Sequence, residues 1–201
     1  MTGPGQKQIE EAVSVLRNGG VIAMPSDTLY ALTAAASDAN AVQRVFDVKG
    51  REGARALPLF VADLTMAERI GKFDERARRL ANRFWPGQLT IVVDKLPDYE
   101  SEALTGGSTV ALRAPDHAVA LAVVRGLGEA VTGTSANLSG GPDPDSADEV
   151  RRQIGDALDL ILEAGPAAYG VASTIVDCTV AAPRILREGA VDEKAIEDAL
   201  A

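Results

Sequence analysis

The chain has 201 residues, 46% of them hydrophobic and 24% charged, which fits one fairly large core better than two small ones. Twenty Lys and Arg against 29 Asp and Glu give a net charge of -9, the wrong sign for a surface that grips nucleic acid along its length, so any basic site must be local. One cysteine, Cys178, excludes an internal disulfide and a multi-cysteine metal cluster; with no basic-then-apolar leader and no apolar run near the roughly 20 residues that span a bilayer, a cytoplasmic protein without a membrane role is expected.

Apolar side chains at Ile9, Val13 and Leu16 predict a helix from about Gln6 to Arg17, stopped by Asn18-Gly19-Gly20. Val21 to Met24 reads as a short buried strand, and Pro25 to Thr28 as the loop at its C-terminal end, where open α/β sheets place ligands. Asp38 or Asn40 caps a second helix carrying Ala41, Val42, Val45, Phe46 and Val48, which ends as Lys49-Gly50 begins. A strand at Leu57 to Val61 follows, then helices at Leu64 to Ile70 and Glu75 to Phe84. Strands at Leu89 to Val93 and Thr109 to Leu112 come next, then a helix from Asp116 to Arg125 and a strand from Ala130 to Gly133 feeding Ser135. Gly140-Gly141-Pro142-Asp143-Pro144 is read as a loop and not a domain linker. A helix from about Ser146 and strands near Leu158 to Leu162 and Thr174 to Val176 follow it at once. With no internal repeat or low-complexity tract, the expected fold is α/β of the α+β type: an open twisted mixed sheet covered by helices, in a single domain over 1–201.

Two tripeptides carry the chemistry, Lys49-Gly50-Arg51 and Ser135-Ala136-Asn137. Two cations at this spacing suit phosphate charge, and a hydroxyl with a carboxamide two residues on suits directional hydrogen bonds to phosphate or ribose. The plainer reading of Lys49 and Arg51 is a cationic last turn that complements the helix dipole. Arg55, Arg113 and Arg187 weigh against it, since an acidic chain that gathers cations at strand ends binds an anion there. Ser26, Asp27 and Thr28 form either a self-capped turn or a face toward a small polar ligand. The hydroxyl-rich run Thr132 to Asn137 favours a phosphate or ribose cradle. His117, the only histidine, is expected as a solvated first-turn residue, with no G-x-S-x-G elbow to make it a triad member. Trp85 is expected as a helix-ending core anchor and Cys178 as a small core residue. One His and one Cys are too few for a protein metal cage, which leaves a nucleotide-bound Mg2+. The P-loop and G-x-G-x-x-G patterns are absent in their strand-to-helix context.

Eight segments in order resemble one family: Pro25 to Tyr30, Lys49-Gly50-Arg51, Pro58-Leu59, Trp85 to Thr90, Leu112 to Pro115, Ser135 to Gly140, Ser173 to Asp177 and Leu186-Arg187-Glu188-Gly189. Together they cover nearly the whole chain and are similar to the Sua5/YciO/YrdC family. The resemblance implies a YrdC-like fold and L-threonylcarbamoyladenylate synthesis: L-threonine, bicarbonate and ATP, with Mg2+, give threonylcarbamoyl-AMP and pyrophosphate. The product would pass to a tRNA threonylcarbamoyltransferase complex for t6A modification, with weak or no direct tRNA binding by the chain itself. It implies the short form, since nothing after Leu200 leaves room for a further domain. Carried over position by position, Lys49, Arg51, Thr109, Ser135, Asn137 and Arg187 would meet ATP, with Lys49, Arg51, Ser135 and Asn137 carrying activity. Ser26, Arg113 and Ser173 would hold threonine, Arg113 through its carboxylate.

The chain departs from the family pattern at Ser26, usually Thr, at Ala31, usually Gly, and at Glu52, Ala172 and Glu188. A YciO-type paralogue with a different nucleotide-dependent activity is the alternative. It tends to lack the K-x-R and S-x-N pair present here, although Ala31 favours it. An RNA-binding module is disfavoured by the net charge. A carbamoyl-transfer domain of hydrogenase maturation is excluded by the missing zinc-finger cysteines. The stretches Gly50 to Ala56 and Gly140 to Pro144 are the candidate lids over a nucleotide.

Overall fold

The computed structural model describes residues 5–50, 55–168 and 170–201; Arg51 and Glu52, and with them most of the first candidate lid, lie outside that set. The N-terminal helix α1 (Gln6–Arg17) buries Ala12, Val13 and Leu16, as its apolar spacing predicts. The strand β1 (Ile22–Pro25) turns at Ser26 to Leu29 into β2 (Tyr30–Thr33), its antiparallel partner, with Pro25 opposite Tyr30. β2 is an addition to the expected elements, because its four buried residues carry no alternation to announce a strand.

Asp38 caps α2 (Ala39–Lys49), its side chain accepting from the amides of Asn40 and Ala41, both at 3.0 Å. Gly50 ends the helix at φ 62°, a conformation that favours glycine. β3 (Leu59–Phe60), the single turn α3 (Leu64–Ala67), α4 (Glu75–Phe84), β4 (Leu89–Asp94) and β5 (Thr109–Arg113) follow. Then come α5 (Ala118–Leu127), β6 (Val131–Thr132), β7 (Thr134–Ser135), α6 (Ala147–Ile154), β8 (Leu160–Ile161), β9 (Thr174–Asp177), β10 (Arg184–Arg187) and α7 (Glu193–Leu200). β10 and α7 are additions to the elements expected from sequence.

The strands divide between two mixed sheets, one ordered β7-β2-β1-β8 and the other β10-β9-β4-β5-β3-β6. An isolated bridge between Ala35 and Val131 and the direct succession of β6 by β7 bind the sheets to each other. In the second sheet β4 pairs over four residues with both β5 and β9, and the inward residues Leu89, Ile91, Val93 and Leu112 are at most 1% exposed. Each such side chain contributes about 1.5–3 kcal/mol of burial. α1 and α5 pack together over β1 around Leu16, Ile22, Met24, Val123 and Val124. Trp85 ends α4 against this framework as expected, packing edge-on to Phe73, and its indole N–H donates to the Leu89 carbonyl at 2.7 Å. Cys178 is buried as expected, which pushes its thiol up to about 12. Among the described residues, no helix is long and apolar enough to cross a membrane.

Candidate active site

The two tripeptides meet. Lys49, at the last position of α2, is 2% exposed, and its ammonium donates to the Ser135 carbonyl at 2.7 Å, to Ser135 Oγ at 3.3 Å and to Asn137 Oδ1 at 2.7 Å. Ser135 Oγ also donates to Asn137 Oδ1 at 2.8 Å. The Asn137 amide group donates to the carbonyls of Gly141 at 2.9 Å and Pro142 at 3.2 Å. Lys49 is therefore not a cation in a solvated last turn; it is a charged pin that fixes the turn after β7. The Gly140 to Pro144 candidate lid is fixed too, because Gln153 donates to Pro142 O at 3.0 Å and the Tyr30 amide to Pro144 O at 2.9 Å.

Ser135 forms part of the wall of a cleft of about 290 Å3 between the sheets. The cleft also gathers Ser26 and Thr28 from the β1–β2 turn, Arg55, Arg113 at the end of β5, Ser173 just before β9, and Arg187 at the end of β10. The register of β10 slips between Ile185 and Arg187, a bulge that re-aims Arg187. Its guanidinium donates twice to the Ser173 carbonyl, at 2.7 and 3.1 Å, and to Ser173 Oγ at 3.1 Å. Ser173 Oγ lies 2.8 Å from Thr90 Oγ1. Gly189 lets the chain after β10 pass close by, since a Cβ there would stand 2.4 Å from the Ala172 carbonyl oxygen.

Arg113 is 3% exposed and held on three sides. Its Nε donates to Gly87 O at 2.8 Å, its Nη1 to Thr28 Oγ1 at 2.8 Å, and its Nη2 to Asp27 Oδ1 in an ion pair. The guanidinium carbon lies 5.6 Å from the Phe60 ring centroid. Burial lowers its affinity for a proton, Asp27 opposes that shift without cancelling it, and the nearby charge of Arg187 adds to it. Burial acts likewise on Arg187, with Asp143 opposing it. Both stay cationic at neutral pH.

The self-capped turn expected at Ser26 to Thr28 forms, and Ser26 and Thr28 line the cleft. Ser26 Oγ donates to Leu29 O at 2.6 Å and accepts from the amides of Thr28 and Leu29, each at 3.2 Å, a self-capped turn that still faces the cleft. Ala31 lines the cleft from an extended strand, so the methyl in place of a hydrogen costs no backbone strain and narrows the wall instead.

One residue stands apart from the cleft and one expectation needs correction. Thr109 does not line the cleft. It begins β5 opposite Asp94, four residues and roughly 13 Å from Arg113 along the strand. His117 is not a solvated first-turn residue: it is the half-buried residue preceding α5, and its Nδ1 is buried with no hydrogen-bond partner among the described residues. Burial lowers its pKa, with Asp27 and Asp116 opposing. Sequence reasoning named the segments that hold Phe60, Asp143 and Asp27 but missed Phe60 and Asp143 as parts of the cleft wall and Asp27 as the partner of Arg113. The only sequence signal for these was their nearness to segments already singled out. Arg51 lies outside the described residues.

The family model Sua5_yciO_yrdC, described as telomere recombination, matches residues 14–189. The threonylcarbamoyl-AMP synthase of Bacillus subtilis (strain 168) is 38% identical over 192 residues, which cover 94% of this chain and 56% of that protein. The crystal structure of P. abyssi Sua5 complexed with L-threonine matches with a TM-score of 0.93 at 36% identity, over 98% of this chain and 58% of that one. The crystal structure of E. coli YciO matches with a TM-score of 0.87 at 28% identity, over 97% and 95%. The chain thus spans a little over half the length of the first two and nearly all of the third.

Proposed function

The chain belongs to the Sua5/YciO/YrdC family, and from that premise we propose that it is an L-threonylcarbamoyladenylate synthase folded as a single YrdC-like domain. The observation that carries this reading is the clamp of Lys49 on Ser135 and Asn137 at the wall of a cleft that Arg113, Ser173 and Arg187 close from the other side. A phosphate cradle and a carboxylate-binding arginine in one cleft suit a reaction that joins an amino acid to a nucleotide.

The threonine nitrogen attacks the carbon of bicarbonate or CO2, giving a carbamate and, from bicarbonate, water. A carbamate oxygen then attacks the α-phosphorus of ATP, the bond to the β-phosphate breaks, and pyrophosphate leaves. The chain's part is positioning and charge neutralisation. The two N–H groups of Arg113 not spent on Gly87, Thr28 and Asp27 would take the threonine carboxylate. Ser26 and Ser173 would flank the amino acid, and Ser135, Asn137 and Arg187, with Arg51, the nucleotide. Thr109, at the start of β5 and outside the cleft wall, is not part of the set proposed, while Asn137, also outside the wall, enters it through its bond to Ser135.

Mg2+ fits this cleft as a substrate-borne ion. Among the described residues no cluster of three ligating side chains exists, but Asp143 supplies one carboxylate to the wall, and Mg2+ is commonly held by one or two carboxylates plus phosphates. The ion would neutralise phosphate charge as pyrophosphate departs. The product would pass to a tRNA threonylcarbamoyltransferase, and a cytoplasmic location follows from that task.

A YciO-type activity is the second reading; what speaks for it is that the alignment spans 95% of that protein's length, at 28% identity, and that Ala31 puts a methyl in the cleft wall. Pyrophosphate release from ATP and bicarbonate, with and without L-threonine, separates the two. Threonine-dependent release that Lys49→Ala abolishes supports the synthase; its absence from folded wild-type protein refutes it.

A further inference from the structure

The three arginines of the cleft differ in their electrostatic surroundings. Arg113 is bound in a contact ion pair to Asp27, and both side chains are buried, at 3% and 2% exposure. Asp27 does not line the cleft; it stands behind the guanidinium, fixed by Gln88, whose Nε2 donates to its second oxygen at 3.1 Å. Arg55 and Arg187 also line the cleft, and among the described residues neither has a carboxylate within ion-pair distance. Asp143 acts on Arg187 only at longer range. Arg113 therefore presents to the cleft a guanidinium whose charge is already cancelled, whereas Arg55 and Arg187 present cationic charge to the same cleft.

An anion gains from a bare cation in proportion to its own charge, so a phosphate outcompetes a monocarboxylate there. Against a neutral ion pair that advantage vanishes, and only directional N–H donation remains. A zwitterion loses nothing by the change, because its own ammonium would be repelled by an uncompensated guanidinium. We infer that Asp27 is a specificity-determining residue: by neutralising Arg113 it keeps the amino-acid end of the cleft open to a zwitterion and closed to phosphate and pyrophosphate. The inference rests on the synthase reading for the identity of the zwitterion, and on the ion pair alone for the exclusion of anions. It gives Asp27 a task beyond orienting Arg113, which Thr28 and Gly87 already do at 2.8 Å each.

The test is calorimetric titration of inorganic pyrophosphate and of L-threonine, without turnover, into wild type, Asp27→Asn and Asp27→Asn/Arg113→Gln. Asparagine keeps the shape and one acceptor oxygen while removing the charge. Wild type should bind one pyrophosphate per chain, and saturating pyrophosphate should leave threonine affinity unchanged within about twofold. Asp27→Asn should bind a second pyrophosphate, which weakens threonine by about tenfold or more through direct competition. The double variant should lose the second pyrophosphate site, because the uncompensated cation is gone. A purely structural role for Asp27 would weaken binding of everything and could not create an anion site. Competition between pyrophosphate and threonine in wild type overturns the inference, as does an Asp27→Asn protein that folds and gains no anion site. Should that variant not fold, the wild-type competition decides alone. Wild type that binds no threonine, beside an Asp27→Asn protein that gains a pyrophosphate site, would refute the synthase reading and leave the role of Asp27 intact.

Discussion

The ammonium of Lys49 and the side-chain oxygen of Asn137 lie 2.7 Å apart although 88 positions separate them in the chain. With Ser135 they form one buried polar unit, in which Asn137 Oδ1 accepts from both Lys49 and Ser135. Removing a member of such a unit leaves its partners unsatisfied, at a cost of about 1–3 kcal/mol for a buried group. Lys49→Ala and Asn137→Ala should each lower stability by that order and reduce threonine-dependent pyrophosphate release by about a hundredfold or more. The double variant should be little worse than either single one, with a coupling of about 0.5–3 kcal/mol. Denaturant titrations and initial rates of all four proteins measure it; additive losses would show that the residues act separately.

The parts of this arrangement that were legible beforehand are those written locally. Ile9, Val13 and Leu16 mark α1, and Asp38 and Gly50 punctuate α2, because caps and periodicity act within a few residues. β2 was not legible: Tyr30 to Thr33 are all buried, and their partners in β7 lie about a hundred positions away. β10 is largely exposed and carries arginines at both ends, which hides a strand whose role is to deliver Arg187. The segments around the cleft could be named, but not the pairing of Asp27 with Arg113. A carboxylate beside two hydroxyl residues reads equally well as a turn, and only the fold brings a guanidinium 86 positions away against it.

Gly189 tests how closely the end of β10 must approach the threonine side of the cleft. A Cβ there would meet Ala172 O at 2.4 Å, Ser173 C at 2.5 Å and Thr174 N at 2.6 Å, all backbone atoms that have no rotamer to yield. Gly189→Ala should therefore push the chain off Ser173 and cost about 1–3 kcal/mol by overpacking. Because Arg187 grips the Ser173 carbonyl, the displacement should raise KM for threonine more than it lowers kcat. A variant with wild-type melting temperature and KM would show that the contact relaxes without consequence.

Thr109 separates the family pattern from the geometry of this chain. It sits at the opposite end of β5 from Arg113 and forms no part of the cleft wall. Thr109→Ala should leave KM for ATP within about twofold of wild type, since it removes no contact to the site. A tenfold rise in KM at unchanged stability would place the nucleotide along β5 and enlarge the site beyond the cleft described above.

His117 gives the protein a pH dependence whose direction follows from its surroundings. Burial lowers its pKa below the ordinary 6.5, and the charges of Asp27 and Asp116 oppose that shift without cancelling it. In the folded state the ring therefore stays neutral at a pH where the unfolded chain already binds the proton. Between the lowered value and 6.5 the unfolded state holds more protons, so stability rises with pH through that window and is lost as pH falls below 6.5. The buried Nδ1, without a hydrogen-bond partner among the described residues, agrees with a ring that is costly to charge. Denaturant titrations from pH 5 to 8 should show this loss in wild type and a shallower one in His117→Gln, which carries no titrating proton. Parallel pH profiles for the two proteins would assign the acid sensitivity to other groups and leave the His117 ring without a part in it.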